Sequence, residues 1–141
     1  MEDLHRTVAA RLKAVGQRYT TNRRALVEVL SSARRPVPIT DILEDRSLPQ
    51  SSAYRNLAVL EQARVVRRIH TTDEFARYEL AEDLSEHHHH LVCSNCGSVT
   101  DFHAPPGFER TVRRAIEQAA AEGFTAQGHR LDLVGLCRDC A

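Results

Sequence analysis

Leu4, Val8, Leu12 and Val15 recur at helical spacing, so they share one face of a helix that Asp3 is placed to cap and Gly16 to end. Ala25, Leu26, Val29 and Leu30 repeat the pattern in a second helix starting at Thr20 or Thr21. The Pro36-Val37-Pro38 stretch interrupts it, and Thr40 is placed to cap a short third helix carrying Ile42 and Leu43. After Leu48-Pro49 a fourth helix runs from Gln50 through Leu60, with Ala53, Leu57 and Leu60 turned to a core. The period then changes from helical to alternating. Val65-Val66-Arg67-Arg68-Ile69 and Phe75 to Leu80 read as strands, joined by His70-Thr71-Thr72-Asp73-Glu74. Short helices followed by a hairpin predict a winged helix, a variant of helix-turn-helix.

The second half carries a different pattern. Leu91 to Cys93 and Val99 to Phe102 read as strands, and Pro105-Pro106-Gly107 as a turn. Phe108 to Glu122 is expected to be helical, with Val112, Ile116, Ala119 and Ala120 on one stripe and Gly123 ending it. Leu131, Leu133, Val134 and Leu136 form a final strand. A small sheet with one helix cannot cover both of its faces, so docking of a second copy is expected. The expected fold class is α+β: a winged-helix DNA-binding domain over 1–80, a hinge at about 80–86, and a small α/β dimerisation domain over 87–141.

Composition adds little until it is divided along the chain. No apolar run reaches membrane-span length and no signal-peptide core opens the sequence, so a cytoplasmic protein without a membrane partner is expected. The zero net charge hides a split: residues 1–72 hold 13 Arg/Lys against 7 Asp/Glu, and residues 73–141 hold 6 against 12. Such segregation points to a nucleic-acid-facing half joined to a half of another purpose. Of the basic residues only Lys13 is lysine, and arginine's fork suits phosphates and guanine edges, although genome composition also produces arginine excess. The outward face of the fourth helix carries Gln50, Ser51, Ser52, Tyr54, Arg55 and Asn56. Small hydroxyls and an amide permit close approach to DNA, while Tyr54 and Arg55 reach phosphates or bases. The competing reading is an ordinary solvated helix face; the strands that follow favour the DNA reading.

Candidate chemistry concentrates near the C-terminus. Cys93-x-x-Cys96 and Cys137-x-x-Cys140 use all four cysteines and supply a complete tetrahedral thiolate set, a strong signal for structural zinc; a redox switch is the rival. His87 to His90 are consecutive. In an extended segment alternate side chains point to opposite faces, so His87 and His89 are expected to face one way and His88 and His90 the other, and one run can feed two different sites. Glu79, Glu82, Asp101, His70, Glu109 and His129 are the nearby candidates to complete them, while His103 or His129 taken singly reads as a surface histidine. A zinc hydrolase is the remote alternative. It would need an open coordination position and a placed general base, no His-Glu-x-x-His helix is present, and the basic half would go unexplained. No enzyme is expected.

Several stretches together carry a resemblance. They are Arg18-Tyr19-Thr20-Thr21-Asn22-Arg23, Ser52-Ala53-Tyr54-Arg55-Asn56-Leu57, Tyr78-Glu79-Leu80, the His87–Cys96 block, Asp101-Phe102-His103, and Gly128-His129-Arg130-Leu131 leading to Cys137-x-x-Cys140. Over nearly its full length the chain resembles the ferric uptake regulator (Fur) family, whose members are homodimeric, metal-dependent repressors. The resemblance implies structural zinc on Cys93, Cys96, Cys137 and Cys140. It implies a regulatory hinge site on His88, His90 and Glu79, with Asp101 matching an aspartate of the peroxide-sensing branch. It also implies an auxiliary site on His87, His89 and His129. Val112 falls where that site's glutamate usually stands, and Glu109 lies one helical turn earlier. The histidine that many members supply after helix two is replaced by Arg35-Pro36-Val37-Pro38, leaving His70 as the local substitute. The cysteine typical of the zinc-sensing branch is absent, with Glu82 or Asp83 at its spacing. Arg18, Thr20 and Arg23 join the outward helix face as candidate contacts to a palindromic double-stranded operator. The implied function is a zinc-responsive repressor of metal-homeostasis genes. Ferrous iron or manganese as the regulatory ion, and peroxide sensing through iron and Asp101, are the alternatives.

Overall fold

The computed structural model describes residues 1–33, 35–44, 48–69, 76–85 and 87–141. His70, and the expected loop and strand start at residues 70–75, lie outside the described residues.

The first core is helical. Helix α1 (Glu2–Ala14) buries His5, Val8 and Leu12, and Gly16 leaves it at φ +75°, where a side chain would be strained. Met1 rather than Asp3 stands at the N-cap. Asp3 sits inside the first turn, where its charge complements the positive end of the helix. Helix α2 (Thr21–Ala33) is followed by a two-residue strand β1 (Val37–Pro38) and helix α3 (Ile39–Leu43). The expected Thr40 cap is also corrected: Pro38 stands at the cap, because Val37-Pro38 is already extended by pairing with a later strand, and Thr40 falls within the helix. Helix α4 (Gln50–Gln62) starts after Pro49 and buries Ala53, Leu57 and Leu60 on its inner face. Strands β2 (Val66–Ile69) and β3 (Arg77–Leu80) complete an antiparallel sheet in the order β1-β3-β2, a winged helix. Strand β3 is buried at all four positions, so the sheet carries Arg77 and Glu79 into the interior.

A short 3-10 turn at Glu82–Leu84 leads to the second body. Strands β4 (His89–Cys93), β5 (Val99–Phe102) and β6 (Asp132–Gly135) form a sheet in the order β5-β4-β6, with β4 and β6 parallel. Helix α5 (Pro106–Ala121) begins two residues before its expected start, because Pro106 suits the first turn, where its missing N–H is no loss. No residue of α5 or β6 is buried, and Leu133, Val134 and Leu136 are exposed, so an apolar surface stands uncovered by the chain itself.

The bodies are tied at the turn. Arg11 of α1 donates to Asp83 and, at 2.7 Å, to the carbonyl of Arg64. The Arg11 guanidinium holds the Asp83 carboxyl below its usual range. A carboxyl lowered in the folded state stabilises above its unfolded pKa, near 4, and loses that contribution as pH falls through the folded value. The melting-temperature gap between wild type and Asp83→Asn is therefore expected to close as pH drops below about 4. A gap that stayed constant under acid would show that the pair contributes nothing.

Candidate metal centres

The register of β4 decides which histidines can meet. His90 pairs with Asp101 across β5, and His88, two residues earlier, points to the same side. On that side stands Glu79 of β3. Its Oε2 accepts from His88 Nε2 at 2.9 Å and His90 Nε2 at 3.2 Å. Its Oε1 accepts from Arg67 of β2, Nε at 2.7 Å and Nη2 at 2.6 Å. Burial opposes ionisation of Glu79, but the bonds from His90 and His88 and the charge of Arg67 outweigh it and hold the carboxyl at about 2. Asp101 faces the same group, with Oδ1 at 3.6 Å from His88 Nε2. Burial pushes its pKa up, and Oδ1 is buried without a hydrogen-bond partner. Glu79, His88, His90 and Asp101 offer ligand atoms that all lie within 4.8 Å of one another. Beside them a cleft of about 460 Å³ is lined by Ser31, Arg35, Leu84 and His103. Two imidazoles, two carboxylates and an orphaned buried oxygen fit a divalent cation.

The other face of the run converges separately. His87 Nε2 and His89 Nε2 lie 3.0 and 2.6 Å from Glu109 Oε1, and His129 Nε2 lies 3.1 Å from Glu109 Oε2. The bond from His89 is the first reason the Glu109 carboxyl titrates low. His129 Nε2 is buried yet lacks hydrogen-bond geometry, a second orphan aimed at a ligand group. Glu109 thus stands among the three histidines from the first turn of α5, one turn before Val112.

The third group is sulfur. Cys93, Cys96, Cys137 and Cys140 are free thiols whose sulfur atoms also lie within 4.8 Å of one another. Backbone N–H groups of Cys96 and Cys137 lower the buried Cys93 thiol to about 6. Asn95 donates to Cys140 and lowers it, but the neighbouring Cys137 thiol, burial, Cys93 and Cys96 outweigh that and push it to about 11. Four thiols at this distance cannot all ionise unless a cation neutralises them, which is the donor chemistry of tetrahedral zinc.

Glu82 and Asp83 belong to none of these groups: Glu82 meets His87 Nδ1 and Asp83 meets Arg11. Two partners escaped the sequence, namely Arg67 on Glu79 and Asp132 of β6 at 3.2 Å from His90 Nδ1, while Glu82, a candidate from the sequence, meets His87 on its second nitrogen. A carboxylate on the second nitrogen of a histidine is the usual companion of a metal ligand, but no spacing in the chain announces it.

On the candidate DNA face, Gln50, Ser51, Tyr54 and Arg55 are exposed on α4, as are Arg18 and Thr20 before α2. Ser52 is half-buried. Arg23 donates to Asn56 Oδ1 (3.0 Å), Gln17 Oε1 (3.1 Å) and the Arg18 carbonyl (2.7 Å), so Arg23 and Asn56 lock α4 against the turn before α2.

A winged helix joined to a small sheet that bears one thiol group and two histidine–carboxylate groups defines a metal-binding transcription regulator. The model of the ferric uptake regulator family matches residues 14–134, and the chain belongs to that family. It is 31% identical to the peroxide operon regulator of Bacillus subtilis (strain 168) over 92% of this chain and 88% of that protein. It is 32% identical to the ferric uptake regulation protein of Campylobacter jejuni over 92% of this chain and 83% of that one. Among solved structures, the manganese-containing ferric uptake regulator of Pseudomonas aeruginosa aligns with TM-score 0.71 at 26% identity, covering 92% of this chain and 96% of that one. A zinc-bound manganese uptake regulator aligns with TM-score 0.64 at 26% identity, covering 93% and 98%. Family members are dimeric DNA-binding regulators, and this chain is a metal-responsive regulator rather than an enzyme.

Proposed function

We propose that the protein is a zinc-responsive repressor of metal-homeostasis genes, acting in the cytoplasm as a homodimer on a palindromic operator. The observation that carries this reading is the position of Glu79: a residue of the wing sheet shares one carboxylate oxygen with two histidines of the second body. Residues 1–80 then serve as the DNA-binding domain and 87–141 as the dimerisation domain, whose bare β6 surface receives the second copy. Cys93, Cys96, Cys137 and Cys140 hold structural zinc. Glu79, His88, His90 and Asp101 hold the regulatory ion, whose fixed divalent charge draws both carboxylates and both imidazoles together. His70, the further ligand expected for this group, lies outside the described residues. The four-ligand set suits tetrahedral zinc, which also binds nitrogen and oxygen sites more strongly than ferrous iron or manganese. Joining the two bodies selects one angle between them and so one spacing of the two α4 helices. Coupling between sites is worth about 1–3 kcal/mol, roughly 5–150-fold in DNA affinity. Gln50, Ser51, Ser52, Tyr54 and Arg55, with Arg18 and Thr20, face the DNA, while Arg23 and Asn56 hold α4 in place.

Fluorescence anisotropy on a duplex selected from a random pool tests the reading. Protein holding only its cysteine-site zinc is expected to bind at least about 5-fold more weakly than protein whose hinge group is also loaded. Equal affinity would refute it. Ferrous iron with peroxide sensing is the second reading, favoured by the orphaned Asp101 Oδ1 and by 31% identity to a peroxide operon regulator. It requires a mass gain on a hinge histidine after Fe(II) and peroxide.

A further inference from the structure

The auxiliary group has no role in the reading above, yet its outermost histidine is tied back to the segment between the two sheets. His87 turns Nε2 to Glu109 at 3.0 Å, while its Nδ1 meets the carboxylate of Glu82 in the Glu82–Leu84 turn. The adjacent Asp83 pairs with Arg11 of α1. The same guanidinium donates at 2.7 Å to the carbonyl of Arg64, just past the end of α4. Arg64 is held at φ +61°, a left-handed backbone uncommon for any residue but glycine, so its carbonyl direction depends on its surroundings. Arg11, Arg64, Glu82, Asp83 and His87 line one open groove. Side-chain contacts therefore run from the auxiliary group to Glu82, and from Asp83 through Arg11 to the end of the helix that carries Tyr54 and Arg55, joined by the backbone of one turn.

We propose that Glu82, Asp83 and Arg11 are positioning residues that couple the auxiliary His87–His89–Glu109–His129 group to the placement of α4, by a route separate from the Glu79 group. The inference rests on the reading that the auxiliary group holds a divalent cation. Its chemistry is that of a histidine oriented by a carboxylate on its second nitrogen, an arrangement whose loss lowers metal affinity about 10–100-fold. Restraining the His87 ring restrains Glu82, and Asp83, next in the chain, keeps Arg11 and with it the Arg64 carbonyl in place. Linkage is reciprocal, so DNA held on α4 tightens cation binding at the auxiliary group by the same factor.

The test uses the full chain with His88→Ala and His90→Ala, which disables the hinge group and isolates the auxiliary contribution. Zn(II) affinity is read by competition with a chromophoric chelator, with and without a duplex selected from a random pool by the metal-loaded wild type. DNA affinity is read by anisotropy with and without Zn(II). The expected result is a mutual enhancement of about 5-fold or more. Adding Asp83→Asn or Arg11→Met is expected to bring that factor to about 1 while leaving Zn(II) affinity in the absence of DNA unchanged. These two variants shift the protein's charge in opposite directions, so a shared loss of coupling is not a change in DNA electrostatics. Thermal melting checks that each is folded. Glu82→Gln is expected to weaken Zn(II) binding itself. Zinc uptake with the mutual factor intact in both Asp83→Asn and Arg11→Met overturns the coupling alone. Failure of the group to take up zinc, with stoichiometry unchanged by His129→Ala, overturns the ligand reading and the coupling with it.

Discussion

Replacing Cys93 with alanine is expected to remove one zinc per chain and to unfold the β4-β5-β6 body, with loss of dimerisation and DNA binding. That body has little else to hold it. Its buried hydrophobic residues among those described are Val92, Cys93 and Val99, while α5 and β6 bury nothing within the chain. So small an apolar core cannot offset the entropy of ordering its strands, and a structural zinc, worth about 10–16 kcal/mol in apparent binding energy, can. Two backbone N–H groups also lower the Cys93 thiol to about 6, which favours the thiolate form that binds metal. Cys96 is exposed, and its loss is expected to be milder. Metal analysis by mass spectrometry, with thermal melting and size-exclusion chromatography, checks the outcome. Full zinc content and unchanged melting in Cys93→Ala would remove the staple from the account.

Glu79→Gln is expected to abolish the metal response while leaving the protein folded. Glutamine keeps an oxygen for Arg67 but carries no charge, so the position no longer neutralises a cation shared with His88 and His90. Alanine would be harsher, because it strands the partly buried Arg67 guanidinium, and breaking such a pair costs about 3–5 kcal/mol. DNA affinity of the Glu79→Gln protein should therefore stay at the level of the metal-depleted wild type, about 5–150-fold below the loaded protein. His88→Ala should behave alike, whereas His129→Ala should retain the hinge response. A normal metal titration of DNA binding in Glu79→Gln would place the regulatory site elsewhere.

The helices α2, α4 and α5 were readable because each buries or half-buries a stripe at helical spacing, and the sheets because the period falls to two. Strand β1 was not readable: two residues have no period, and they are extended only through pairing with Tyr78 and Arg77 some forty residues on. That pairing also displaced the Thr40 cap. Asp3 lost its place as a cap because the helix already begins at Glu2, with Met1 at the cap. Within the metal groups, the thiols and histidines were legible from spacing and resemblance. The contacts of Arg67 with Glu79 and of Asp132 with His90 were not, since each depends on how one strand is laid across another.

The histidine run shows where the division falls. Backbone pleating alone separates His88 and His90 from His87 and His89, because alternate side chains of an extended chain leave on opposite sides. Sequence therefore determined that there are two sets, and thiol spacing determined the third. Only the tertiary structure decided what each set faces. Strand β3, fully buried, delivers Glu79 to one side, and the first turn of α5 delivers Glu109 to the other. The physical reason is range: periodicity and chirality act between near neighbours, whereas the meeting of residues 20 or more positions apart is set by packing, which no local pattern encodes.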